Sequence, residues 1–247
     1  MSAQSAFAEA AREDGRAALI TVVAGPQAGE RLMVRADGGQ EGSISDPELE
    51  AEAIAGANEL MWAERSEVRG DLFIDITAPA PRVLIFGAVE YANHLSHFAR
   101  VTGWRPYVID PRAQFATRDR FPDAVEVVVS WPGDAFEHLG GIDRATYLAV
   151  LTHDPKIDDE VLTLALAAEP AYIGAMGAKR TQADRRERLL AAGVSEDDLA
   201  RISAPIGLDL GGASAEEVAL AIMAELVAVR YGRNAGRLSQ RAAGKIH

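Results

Sequence analysis

The chain contains no cysteine. That absence excludes a disulfide framework, a thiolate metal site, a thiol nucleophile and a persulfide carried on the protein. It also agrees with a reducing compartment, and the expectation is cytoplasmic. Long apolar runs are missing as well. The longest, Val218 to Val229, is interrupted by Glu225 and is too short to cross a bilayer. The opening stretch MSAQSAFAEAAREDGR is acidic and has no apolar core, so neither a membrane partner nor a secretory leader is expected. Basic charge is scarce where it would matter for nucleic acid. The net charge is −12, and residues 1–80 hold 15 Asp and Glu against 6 Lys and Arg. No nucleic-acid partner is expected from that balance; the acidic third suits solubility, or docking on a basic protein surface. The one acid-free basic stretch, Arg230, Arg233, Arg237, Arg241 and Lys245, reads as a solvated tail.

What is present is enough for one large domain or two small ones: 247 residues, 48% of them hydrophobic. Thr77-Ala-Pro-Ala-Pro81 reads as an extended linker, because each proline biases its predecessor away from helix. Before it, residues 1–78 read as a small α+β domain. Ala17–Ala24, Arg31–Ala36 and Leu72–Ile76 are strand-like, and a helix starts at Asp46-Pro47, with Asp46 as N-cap, and runs to about Trp62. After it, residues 81–247 alternate strand and helix. Apolar runs at Arg82–Phe86, Pro106–Ile109, Val125–Val129, Tyr147–Leu151 and Ala171–Ile173 are separated by amphipathic stretches. A last helix begins at Ser214, with Glu217 at capping-box spacing. This alternation implies a Rossmann-like, doubly wound parallel sheet with right-handed crossovers. The fold class is therefore α/β with a small N-terminal α+β domain.

In such a sheet, ligands bind outside the carboxyl ends of the strands. Gly87 follows the first strand directly, although Val89 and Ala92 stand where a dinucleotide turn would carry glycines, so it reads equally as a bare strand-to-helix turn. Asp110 ends the second strand, at the distance where an acid accepts from ribose hydroxyls, and Arg112 could meet a phosphate; an Asp-Pro turn is the other reading. Thr152, His153 and Asp154 end the fourth strand and could form an acid–base pair, a clamp or metal ligands, with Asp154 alternatively capping the next helix. One His and one carboxylate are too few for a specific metal site. Gly174, Gly177, Lys179, Arg180 and Thr181 lie where a strand passes into a helix. Glycines free the backbone N–H groups, the helix start is positive, and two cations stand where they are otherwise unfavourable, which is how an anion site is built. Asp209, in Pro205-Ile-Gly-Leu-Asp-Leu-Gly-Gly212, faces the same cleft or belongs to a plain glycine-rich connection.

Gly87, Asp110-Pro-Arg112, Thr152-His-Asp154, Tyr172-Ile-Gly-Ala-Met-Gly-Ala-Lys-Arg-Thr181 and Pro205–Gly212 together resemble the xanthine dehydrogenase accessory family, XdhC/CoxI. The resemblance covers most of residues 81–232; Thr21-Val-Val23, Met33-Val34 and Gly42-Ser-Ile-Ser45 carry it more loosely into the first domain. It implies a maturation factor that binds molybdenum cofactor, as molybdopterin or its nucleotide form. Such a factor assists sulfuration by a cysteine desulfurase and hands the group to a molybdenum hydroxylase; a homodimer is the assembly expected. The family's Gly-Ser-Ile-Ser usually continues Gly-Gly-Cys, whereas here Asp46-Pro47-Glu48 follows, which removes a sulfur ligand. Two other classes compete with this cofactor-binding chaperone: an NAD(P)-dependent oxidoreductase, with His153 or Tyr172 as proton donor, and a non-catalytic nucleotide-binding module.

Overall fold

A computed structural model describes residues 2–240, which divide into two compact units meeting in sequence at Ala80 and Pro81. The first unit contains α1 (Ala3–Arg12), β1 (Ala17–Val22), β2 (Arg31–Arg35), β3 (Gln40–Ser43), α2 (Pro47–Ala63), β4 (Glu67–Arg69) and β5 (Leu72–Thr77). Its five strands form an antiparallel sheet in the order β3-β2-β1-β5-β4. Alternation along β1 decides the layers. Ala18, Ile20 and Val22 pack with Ala53, Ala57 and Leu60 of α2, while Ala17 and Leu19 turn toward Ala6 and Ala10 of α1. The Asp46-Pro47 start of α2 is as expected: Asp46 Oδ1 accepts from the N–H groups of Glu48 and Leu49 at 3.0 and 3.3 Å. The sequence patterns do not reveal α1, β3 or β4. α1 buries only alanines of its Ala3/Ala6/Ala10 stripe, and β3 and β4 are short, polar edge strands.

The second unit contains β6 (Arg82–Phe86), α3 (Glu90–Val101), β7 (Arg105–Ile109), β8 (Glu126–Val128), α4 (Pro132–His138), β9 (Thr146–Val150), α5 (Pro155–Ala167), β10 (Tyr172–Ala175), α6 (Lys179–Ala191), α7 (Glu196–Leu199), β11 (Ile202–Ser203) and α8 (Ala215–Arg230). The sheet is wholly parallel, in the order β11-β10-β9-β6-β7-β8. It is doubly wound. Val83 and Ile85 of β6 face Leu95 of α3 and Ile222 and Leu226 of α8. Leu84 and Phe86 face Phe136 of α4, Val161 and Leu162 of α5 and Leu189 of α6. Two residues in succession thus serve opposite layers, which is why the strand reads as a continuous apolar run. The capping box of α8 is complete: the Glu217 N–H donates to Ser214 Oγ at 3.2 Å, and Glu217 Oε2 accepts from the Ser214 N–H at 3.1 Å.

One boundary moves in a way that matters. The fifth strand does not stop at Ile173 but continues through Ala175, so Gly174 lies inside β10, paired with Ala149 and Ser203. Beyond α8, Arg233 and Arg237 are exposed, while Arg241 and Lys245 of the expected tail lie outside the described residues. Among the described residues no helix is long and apolar enough to cross a membrane.

Candidate functional site

The chain leaves β6 toward β7 and β8 on one side, and enters β9 to continue toward β10 and β11 on the other. β6 and β9 are therefore the neighbours between which the strand order reverses, the point at which open parallel sheets place a ligand, outside the carboxyl ends of the strands. Gly87 and Thr152 stand just beyond the carboxyl ends of these two strands. Gly87 has φ +111°, and a Cβ on it would lie 3.0 Å from the Thr152 nitrogen and 3.3 Å from the Leu151 carbonyl carbon. Both the backbone angle and the close approach demand glycine here.

Asp110 is fully buried, and its carboxylate is already engaged. Oδ2 accepts from the Ala88 N–H at 2.9 Å and from Arg112 Nη2 at 2.7 Å; Oδ1 accepts from the Arg112 N–H and Nε, each at 2.9 Å. Burial pushes the carboxyl pKa up, but the hydrogen bonds from Arg112 and Ala88 outweigh it and leave it below the ordinary value. The carboxylate thus braces the turn after β6 and holds Arg112, leaving it no free direction toward a ribose. Arg112 lies with its guanidinium carbon 4.9 Å above the Phe115 ring. Its pKa is raised first by the hydrogen bonds to Asp110, with the Asp154 charge contributing from the next loop.

In that next loop Thr152 is buried and its Oγ1 accepts from the Asp154 N–H at 2.8 Å. Asp154 caps α5, accepting from the Lys156 N–H at 3.0 Å. His153 is exposed at the edge, and among the described residues it has no hydrogen-bond partner. Thr152 and Asp154 therefore shape the loop, and only His153 presents a side chain free to meet a ligand.

The loop from β10 into α6 divides the expected residues into two kinds. Gly174 is a packing glycine: a Cβ there would meet Ile206 Cδ1 at 2.5 Å and Tyr172 Cε1 at 2.6 Å. The expectation that it frees backbone toward a ligand is corrected by its place inside the sheet. Gly177 is different, with φ +142° and Thr181 packed so closely that a Cβ would stand 3.0 Å from Cγ2. α6 then begins with Ala178 as N-cap and no capping side chain. Lys179 and Arg180 are exposed, and neither is paired with an acid among the described residues. The later arginines of the same helix are all paired: Arg185 with Asp158, Arg186 with Glu196 and Arg188 with Asp159. A helix start with unsatisfied N–H groups, no capping side chain and two unpaired cations has the donors and the charge that an anion would need.

Asp209 is exposed on the loop after β11, and no hydrogen bond among the described residues joins it to the other segments. The loop is anchored instead through Ile206, which fills the space that Gly174 leaves, and through Glu225 of α8. Glu225 Oε2 accepts from the Tyr172 hydroxyl at 2.6 Å and the Gly207 N–H at 2.5 Å. Burial and then Glu225 push the Tyr172 hydroxyl pKa well up, so Tyr172 is a fixed donor to that loop. A cavity of about 560 Å³ between α8 and residues 233–240 is lined by none of the expected site residues.

Sequence reasoning missed three residues that order this edge: Asp158, Gln182 and Arg185. Gln182 Nε2 donates to the Gly177 carbonyl at 2.9 Å, and Arg185 Nη2 to the Met176 carbonyl at 3.0 Å and Asp158 Oδ2 at 2.7 Å. A signal existed. Gln182, Arg185 and Leu189 share one helical stripe, and Leu189 is buried in a mostly charged helix. Likewise Glu225, which interrupts the apolar stretch of α8, is bound to the buried Tyr172.

The description "XdhC Rossmann domain" matches residues 83–226 of this chain, and "XdhC and CoxI family" matches residues 10–70. Among curated proteins, the chain is 27% identical over 160 residues to a probable xanthine dehydrogenase subunit of Bacillus subtilis (strain 168), covering 65% of this chain and 46% of that one. It is 28% identical over 152 residues to the molybdenum cofactor insertion chaperone PaoD of Escherichia coli (strain K12), covering 62% and 41%. The chain thus aligns with less than half the length of either relative. A crystal structure of a xanthine dehydrogenase from Bacillus halodurans superposes with TM-score 0.63 at 24% identity, over 91% of this chain and 65% of that one, a likeness of fold.

Proposed function

The chain belongs to the XdhC and CoxI family, and from that premise we propose that it binds molybdenum cofactor, as molybdopterin or its nucleotide form, and delivers it to a molybdenum hydroxylase. The observation that carries the reading is the start of α6. Its N-terminus is uncapped, and Lys179 and Arg180 are unpaired in a helix whose other arginines are bound. These residues suit the phosphate of such a group, through backbone donors and two cations. Gly87, Arg112 and His153, in the loops after the neighbouring strands, would complete the site. Among the described residues no cluster of three or more His, Cys, Asp or Glu is placed to hold a metal ion, and we assign no residue here as a ligand to molybdenum. The group, once delivered, supplies the molybdenum chemistry of the client enzyme; this chain binds and orients it.

With no cysteine, the chain cannot carry a persulfide, so a cysteine desulfurase would act on the bound group directly. An NAD(P) reading gains no support from Asp110, whose acceptor directions are filled by Arg112 and Ala88. The test is purification from cells that make the cofactor, followed by assay of retained pterin. Retention of a phosphate-bearing pterin supports the proposal. Turnover of a nicotinamide nucleotide, or retention of an ordinary nucleotide without pterin, would replace it with one of the other two classes.

A further inference from the structure

Arg185 and Asp158 form an ion pair whose two side chains are each 3% exposed, and the pair joins two helices that both begin at the ligand edge. Asp158 sits one turn into α5, the helix that follows the Thr152–Asp154 loop; Arg185 sits in α6, the helix that follows the Gly177 loop. The same Arg185 nitrogen that bonds Asp158 also donates to the Met176 carbonyl, while Nη1 donates to Gln182 Oε1 at 2.9 Å and Gln182 holds the Gly177 carbonyl.

Two consecutive carbonyls of the loop are thereby drawn toward α6. In a planar trans peptide, the N–H of the next residue points opposite to the carbonyl. Fixing the Met176 and Gly177 carbonyls inward therefore aims the Gly177 and Ala178 N–H groups the other way. Neither has a partner among the described backbone hydrogen bonds. They continue the row of unsatisfied donors in the first turn of α6, and successive donors turned to one side make an anion-binding concavity.

Stability does not explain the choice of an ion pair. Desolvating two charges offsets most of their attraction, and an apolar pair of similar size commonly serves the fold as well. This pair is also incompletely satisfied. Asp158 Oδ1 and Arg185 Nε have no hydrogen-bond partner, although the Thr152 hydroxyl is near enough to act on Asp158.

We infer that Arg185, held by Asp158 and relayed through Gln182, is a positioning residue that sets the peptide orientation of the Met176–Ala178 loop and so forms the phosphate-binding row of N–H groups. The inference rests on the phosphate reading of the α6 start given above.

The full-length protein is titrated with inorganic pyrophosphate by calorimetry, alongside thermal denaturation and circular dichroism. The decisive variant is the apolar replacement Arg185→Met with Asp158→Leu. It should melt close to the wild type and yet bind pyrophosphate roughly tenfold or more weakly, the loss of at least one well-aimed hydrogen bond. Wild-type affinity in that stable variant overturns the inference. Should the double variant not fold, Gln182→Leu, on a partly exposed side chain, removes the relay alone; it should also bind about tenfold more weakly, and unchanged affinity again overturns the inference. Lys179→Glu with Arg180→Glu separates the two claims. If that change abolishes binding while the Arg185 and Gln182 variants do not, the positioning role fails and the site stands. If it leaves binding intact, or the wild type does not bind pyrophosphate, the site itself falls and the inference with it.

Discussion

Arg112 grips Asp110 through one edge of its guanidinium, Nε to Oδ1 at 2.9 Å and Nη2 to Oδ2 at 2.7 Å, while the Ala88 N–H donates to the same carboxylate. The pair locks the turn after β6 to the end of β7, and it gives that turn a pH dependence. The folded pKa of Asp110 is depressed. Its contribution is therefore complete above the unfolded carboxylate value of about 3.9 and is lost as the pH falls through the lower folded value. Asp110→Asn should melt below the wild type at neutral pH, with the gap closing on acidification below about pH 4. A gap of constant size across the whole range would show that the charge is not what holds the turn.

Gly87→Ala forces a side chain into φ +111° and against the Thr152 nitrogen at 3.0 Å. The backbone cost alone is about 1–2 kcal/mol, with the contact adding to it. The thermal midpoint should fall, and pyrophosphate affinity with it, because the turn cannot move without moving the Thr152 loop. An alanine variant as stable as the wild type would mean that the turn after β6 and the Thr152 loop are not in contact.

Gly174→Ala tests the corrected role of that glycine. The added methyl meets Ile206 and Tyr172 at about 2.5–2.6 Å, an overpacking that costs about 1–3 kcal/mol. The substitution should be better tolerated beside Ile206→Val, which removes the nearest atom. Loss of ligand affinity with no loss of stability would return Gly174 to the ligand.

Lys179→Glu with Arg180→Glu should weaken binding of a phosphate-bearing pterin by roughly a hundredfold or more, since each lost charge-assisted contact is worth about 1.5–3 kcal/mol. Circular dichroism should not change, because both side chains are exposed at a helix start. Equal affinities in variant and wild type would place the ligand elsewhere.

Limited proteolysis should first cut between Thr77 and Pro81, where β5 has ended and β6 has not begun. Both fragments should stay compact, each keeping its own sheet. First cuts inside residues 100–200 would contradict two independently folding units.

Much of the fold was readable along the chain. A continuous apolar run such as RVLIF, followed by an amphipathic stretch and another run, has few solutions besides a buried parallel strand and its crossover. Asp46-Pro47 and Ser214–Glu217 carry their capping chemistry within a few residues, so local sequence suffices to place those helix starts. The placement of Gly177, Lys179 and Arg180 between a strand and a helix was readable in the same way.

The weak edge strands β3, β4 and β11 were not readable, because their pairing comes from neighbours rather than from their own short, polar segments. Nor could the sequence sort residues of one chemistry into different duties. Gly174 packs under Ile206 while Gly177 turns the chain; Asp110 braces a turn while Asp209 stays in solvent; Arg185 is buried against Asp158 while Lys179 and Arg180 remain unpaired. The sequence alone determined that a parallel sheet would bring five loops to one edge, since that follows from periodicity along the chain. Which side chains at that edge hold the loops, and which are left free for a ligand, was decided by contacts between residues far apart in the chain, such as Ala88 with Asp110, Asp158 with Arg185 and Gly87 with Thr152. No local pattern encodes such contacts, because they exist only once the strands lie side by side.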